Sequence, residues 1–150
     1  AAIAAANKFM GGITLDDNSA GIIGAARALG REAPMDGAFF EQTIRINLLG
    51  SFLVAKEAAN VMQHNEPNDD GERGLIVSTA SIAAFEGQIG QVSYSASKGG
   101  VVGMTLPLAR RVAVGKKKDT GSSVRGSGWP GCRRSSAAIN RGNGSFQRDC

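Results

Sequence analysis

GLIVSTASIAAFEGQIGQVSYSASKGGVVG, from Gly74 to Gly103, decides how this chain folds and what chemistry it can carry. Leu75-Ile76-Val77 is a short apolar, β-branched run between Gly74 and a Ser/Thr cluster. Such a run reads as a strand buried on both faces, as in a parallel sheet. Ser81 then falls at the C-terminal end of that strand, where open α/β sheets bind their ligands. After a loop through Phe85, Glu86, Gly87 and Gln88, the segment Tyr94-Ser-Ala-Ser-Lys98 opens a helix. Residues four apart share one helix face, so Tyr94 and Lys98 are neighbours. A free phenol titrates at about 10, and a fixed positive charge nearby stabilises its phenolate. Lys98 therefore makes Tyr94 a candidate acid/base, and Ser81 a candidate donor to the reacting oxygen. A lone Y-x-x-x-K is also met as a half-buried Tyr beside a solvated Lys; the strand and Ser81 set this one apart.

Working outward, Ala1–Phe9 has helical composition, and Gly11-Gly12 reads as its stop. Ile13-Thr14-Leu15 begins like a strand but runs into Asp16-Asp17. Two carboxylates at the end of a buried strand are costly unless paired or solvated. Asn18-Ser19-Ala20-Gly21 is a turn signal, and Gly21–Gly37, punctuated by Pro34, reads as a surface loop over a ligand mouth. From Ala38 to Gln63 the positions Phe39, Phe40, Ile44, Leu48, Phe52 and Ala55 recur at helical spacing, which predicts one long amphipathic helix with Asn47 and Gly50 interrupting it. His64–Arg73 is a polar, solvated loop, and His64 a surface residue. The helix opened by Tyr94 continues through Val101, Val102, Met104, Leu106 and Leu108; Gly99, Gly100 and Gly103 thin one face, and Pro107 should bend it or remove one hydrogen bond.

The chain has 150 residues and a net charge of +4. Residues 1–114 carry nine Lys/Arg against eleven Asp/Glu, and 115–150 carry eight against two. The expected organisation is one α/β domain over 1–114 and a basic, Gly/Ser-rich, disordered tail over 115–150. Cys132 and Cys150 form no C-x-x-C or Cys/His cluster, so no metal site is expected. There is no apolar run long enough to span a bilayer and no secretory signal pattern. A cytoplasmic protein is expected, or one of the mitochondrial matrix should a targeting segment precede Ala1, since the chain begins without an initiator Met inside an Ala-rich helical pattern.

Ser81, thirteen residues before Y-S-A-S-K, resembles the Ser–Tyr–Lys set of the short-chain dehydrogenase/reductase family. The wording TASIAAFEGQIGQVSYSASKGGVVGMTLPLAR and the preceding NEPNDDGERG are similar to its type-2 3-hydroxyacyl-CoA dehydrogenase, or 17β-hydroxysteroid dehydrogenase type 10, branch over roughly Asn18–Arg111. The resemblance implies a partial, doubly wound Rossmann-type parallel sheet with flanking helices. It implies an oxidoreductase interconverting a secondary alcohol and a ketone with NAD, NADP being open, on a 3-hydroxyacyl-CoA or hydroxysteroid. Ser81, Tyr94 and Lys98 would be catalytic, with Asn47, in the family's N-x-x-G, at a kink holding a water that relays protons to Lys98. Asn18, Ser19, Ala20 and Gly21 would border the cofactor's ribose together with Tyr94 and Lys98. Gln88 would touch substrate beside Ser81 and Tyr94. The Tyr94–Arg111 helix would pack on its copy in a homo-oligomer. The family's strand and Pro-Gly turn after this helix are not found beyond Ala113, which reads as an altered frame, an alternative splice or a natural tail.

The glycine-rich G-x-x-x-G-x-G turn that would seat a pyrophosphate on a helix N-terminus is not in this sequence. Weak cofactor binding and low turnover are therefore expected of the chain as it stands. Two alternatives stay open: a non-catalytic remnant, and a binding protein whose basic tail contacts nucleic acid, with Trp129 and Phe146 to stack on bases.

Overall fold

The computed structural model describes residues 2–113, 121–127 and 136–137, with side chains up to Arg110. Helix α1 (Ala2–Met10) leads into strand β1 (Leu15–Asn18). Gly11, at φ 74°, ends the helix in the left-handed conformation that favours glycine, and the Gly12 N–H returns to the Asn7 carbonyl at 3.1 Å. Helix α2 (Gly37–Ile44) starts at Asp36, whose carboxylate accepts from the Ala38 N–H at 3.0 Å. It passes without a break into a π-helical segment, Arg45–Leu49, and then into α3 (Gly50–Met62). Strand β2 (Glu72–Thr79), a 3₁₀ turn (Ile82–Ala84) and α4 (Val92–Ala113) follow.

The sheet order is β1-β2-β3-β4, with β3 at Gly121–Ser127 and β4 at Ser136–Ala137. β1 pairs parallel with β2 from Leu15–Leu75 to Asn18–Ser78. β3 pairs parallel with β2 on the other side, and β4 is antiparallel to β3. The strand–helix–strand alternation with parallel neighbours is the Rossmann-type α/β arrangement. The strand at Gly121–Ser127 corrects the expectation that no strand follows Ala113. Its Gly/Ser composition carries no apolar signal, and the free edge of β2 supplies the backbone partners that do. The rest of the basic tail, and its reading as disordered, lies outside the described residues, as do Cys132, Cys150, Trp129 and Phe146.

The core joins Ile13 before β1, Ala55, Ala58 and Met62 of α3, Ile76 of β2 and Ala109 of α4, with Ile3 and Ala6 of α1 packed against it. Burying an Ile or Met side chain stabilises by about 1.5–3 kcal/mol. Gly74 lets α3 sit close to β2: a methyl there would lie 2.6 Å from Met62 Sδ. β2 is buried fully only on the face of Ile76 and Ser78, while Leu75 and Val77 are half-buried. That differs from the two-faced burial expected of this strand.

Of the apolar stripe expected along α2–α3, Ala55 is buried as expected, but ahead of it the buried face falls one residue before Ile44, Leu48 and Phe52. Buried positions are Thr43, Asn47, Ser51 and Ala55, whereas Ile44 and Leu48 are half-buried and Phe52 is 41% exposed. The spacing of four fits the wider turn of the π-helical segment better than 3.6 does. The inward polar groups are satisfied: Thr43 Oγ1 donates to the Phe39 carbonyl at 3.1 Å, and Ser51 Oγ to the Asn47 carbonyl at 2.8 Å. α4 runs on through Pro107, which has no N–H to give the Gly103 carbonyl.

Candidate active site

The site forms where the C-terminal ends of β1 and β2 meet the first turns of α4. Lys98 is its centre. It is 6% exposed and is the only charged side chain buried among the described residues. Its ammonium donates to the Thr79 carbonyl at 2.6 Å and lies 5.8 Å from the centroid of the Tyr94 ring. The ion pairs among the described residues, Glu41–Arg45 and Lys56–Glu57, leave it without a carboxylate. Burial pushes its pKa below the ordinary 10.5. An uncompensated buried charge is expensive for a fold to keep and recurs at functional sites.

Ser81 caps the 3₁₀ turn after β2, its Oγ accepting from the Ala83 N–H at 3.2 Å. Because that contact uses a lone pair, the hydroxyl proton remains for a donor role. Asn47 faces the same region from the π-helical segment. Its Oδ1 accepts from the Ile22 N–H at 2.8 Å, and its Nδ2 donates to the Ile22 carbonyl at 2.9 Å and to Ser97 Oγ at 3.0 Å. Gly21 is wedged between the two: a methyl built there would lie 3.1 Å from Asn47 Oδ1 and 3.9 Å from Lys98 Nζ. The turn Asn18–Gly21 thus brings backbone within reach of Lys98, and any side chain at Gly21 would crowd Asn47.

The other sequence-derived positions fare unequally. Ser19 Oγ approaches Thr79 Oγ1 at 3.4 Å, joining the ends of β1 and β2. Asn18 is buried and donates from Nδ2 to Asp16 Oδ2 at 2.7 Å, and Ser19 Oγ donates to Asp17 Oδ1 at 2.7 Å. The two carboxylates are thereby paired or solvated. Burial raises the pKa of Asp16, the bond from Asn18 lowers it and neighbouring Asp17 raises it. Ala20 is exposed, and so is the side chain of Gln88, whose loop closes on itself through Gln88 N–H to Gln91 Oε1 at 3.0 Å. No hydrogen bond ties Gln88 to Lys98 or Ser81 among the described residues. An open concavity of about 280 Å³ lies elsewhere, on α2 and the π-helical segment, lined by Ala38, Glu41, Gln42, Arg45 and Ile46.

Sequence reasoning missed the backbone carbonyl of Thr79 that grips Lys98, and the serines Ser93 and Ser97. Ser93 Oγ donates to the Gly24 carbonyl at 3.1 Å and Ser97 Oγ to the Tyr94 carbonyl at 2.7 Å. The signal available was the pair of serines at i and i+4 in a segment of α4 that must pack closely.

The short chain dehydrogenase family profile matches residues 1–116, and the chain belongs to that family. In particular, it is 45% identical over 115 residues to a bovine protein named 3-hydroxyacyl-CoA dehydrogenase type-2, covering 75% of this chain and 44% of the relative. It is 60% identical over 74 residues to the rat protein of that name, covering 49% of this chain and 28% of the relative. The crystal structure of 3-hydroxyacyl-CoA dehydrogenase type-2 from Mycobacterium avium superposes with a TM-score of 0.73 at 38% identity, covering 83% of this chain and 48% of that one. The chain therefore spans about half the length, or less, of these relatives.

Proposed function

We propose that this chain carries the catalytic half of a nicotinamide-dependent oxidoreductase that interconverts a secondary alcohol and a ketone. The observation that carries the reading is the buried Lys98 ammonium, without a carboxylate partner, beside the ring of Tyr94. The donor set fits the nicotinamide–ribose end of a dinucleotide. Lys98 has three N–H donors and gives one to Thr79, which leaves two for ribose hydroxyls. Gly21 and Ser19 line the approach. When bound, the dinucleotide supplies hydride transfer.

The chain's own residues manage the proton. In the reducing direction Ser81 donates a hydrogen bond to the carbonyl oxygen, Tyr94 gives up its hydroxyl proton to that oxygen, and Lys98 stabilises the negative charge left on the phenol oxygen. In the oxidising direction the same groups act in reverse. The relatives' printed names support a 3-hydroxyacyl-CoA as substrate, with a hydroxysteroid as the competing choice; NAD is the dinucleotide we infer, with NADP as the alternative. α4 supports a homo-oligomer: Val92, Ala96, Gly103 and Pro107 are exposed on one face, and a side chain at Gly103 would meet nothing within 4 Å.

Acetoacetyl-CoA-dependent oxidation of NADH, compared between the chain and its Tyr94→Phe variant, tests the reading. Slow turnover that the substitution abolishes supports it. Turnover equal in both, or no binding of NADH in a direct titration, overturns it.

A further inference from the structure

The first turn of α4 holds a hydroxyl that the proton chemistry leaves unused. Ser97 is 0% exposed, three residues after Tyr94 and one before Lys98. A serine inside a helix commonly returns its hydroxyl to a carbonyl of the preceding turn, and Ser97 does so, donating to the Tyr94 carbonyl at 2.7 Å. Its second partner is what sets it apart. Asn47 Nδ2, fifty positions away on the π-helical segment, donates to the same Oγ at 3.0 Å.

The orientation of the Asn47 amide follows from its partners. Ile22 presents an N–H to Oδ1 at 2.8 Å and a carbonyl to Nδ2 at 2.9 Å. A flipped amide would set donor against donor and acceptor against acceptor. Nδ2 has two protons; one is committed to Ile22, so the other is the one that reaches Ser97. Ser97 in turn has a single proton, and it goes to Tyr94. The bonds thus run in one direction, from the Asn47 amide to the Ser97 hydroxyl to the Tyr94 carbonyl. The first of these bonds is buried and the second part-buried, and a bond sheltered from water is not easily replaced.

We propose that Ser97 is a positioning residue for Tyr94. It ties the first turn of α4 to Asn47 and, through Asn47, to Ile22 in the loop after β1. Lys98 is anchored separately, by Thr79 at the end of β2. The separation of 5.8 Å between ammonium and ring is therefore fixed by two independent tethers, and Ser97 supplies the one on the tyrosine side. The assignment rests on reading Tyr94 as the acid/base.

Tyr94 is the only tyrosine in the chain, so ring-¹³C tyrosine labelling reports on that residue alone. Lys98→Met calibrates how much of the ring's chemical shift is owed to the ammonium. Ser97→Ala is expected to move the ring signals by at least half of the Lys98→Met displacement, with the helical circular dichroism retained. Unmoved signals overturn the proposal. If Ser97→Ala does not fold, Ser97→Cys, of similar size but a weak donor, is read by the same criterion. In Asn47→Ala/Ser97→Ala the displacement should be no larger than in the more affected single variant; additive displacements would show that Ser97 acts independently of Asn47 and would overturn the tether. None of these measurements needs turnover. A chain without dehydrogenase activity would fail the function proposed above and leave the tether to be decided by the spectra.

Discussion

Lys98 Nζ and the carbonyl oxygen of Thr79 lie 2.6 Å apart, so the buried lysine of α4 is held by the last residue of β2. The burial that this contact permits lowers the lysine's pKa. The unfolded chain, with Lys98 at its ordinary 10.5, then holds more protons than the folded one between the lowered value and 10.5. Stability should rise with pH across that window. Urea unfolding midpoints measured from neutral pH towards pH 10.5 should show a rise in the wild type that Lys98→Met reduces. Equal pH slopes in the two proteins would contradict this.

Tyr94→Phe removes the hydroxyl and keeps the ring. Where NADH oxidation by the chain is measurable, the rate should fall by about 10²–10⁴-fold, the usual contribution of general acid/base catalysis. The thermal midpoint should change little, because the hydrogen bonds of this turn run through Ser93, Ser97 and backbone.

Asp16→Asn should stabilise the fold at neutral pH. The carboxyl's folded-state pKa is raised, with burial as the largest cause. The folded chain therefore binds the proton more tightly than the unfolded chain, and stability falls as pH rises from the ordinary value of 3.8 through the raised one. The advantage of Asn over Asp should shrink as pH falls through that window. Paired denaturation curves at pH 7 and at about pH 3.5, below the unfolded value, check the sign.

Gly24→Ala places a methyl against Thr43 Oγ1 and Ser93 Oγ, at a point where the loop after β1 is bonded to α4. Overpacking of this kind costs about 1–3 kcal/mol. A lowered urea midpoint with an unchanged slope is the expected result, and a midpoint equal to that of the wild type would show that the loop can move away freely.

What side-chain spacing could tell about this molecule was which residues share a face. Tyr94 and Lys98 at i and i+4, the Gly11 stop and the strand around Ile76 all follow from period and composition. Backbone acceptors carry no such signal, so Thr79 could not be foreseen as the anchor of Lys98. Thr43 and Ser51 carry no apolar signal and Asn47 interrupts the apolar pattern, yet all three point inward with partners already provided. Phe52 read as core and lies exposed because the turn before it is wider than 3.6 residues. β3 owes its place to the neighbouring strand rather than to its own Gly/Ser-rich residues.

The π-helical turn at Arg45–Leu49 works as a phase shifter between two halves of one helix. A π-helical turn holds about one residue more than an α-helical one, so deleting one residue there and restoring ordinary winding would leave Ala55, Ala58 and Met62 in phase with Ile76. What would change is the side chain presented to Ile22 and Ser97 in place of Asn47. A deletion at this turn should therefore cost the site before it costs the core.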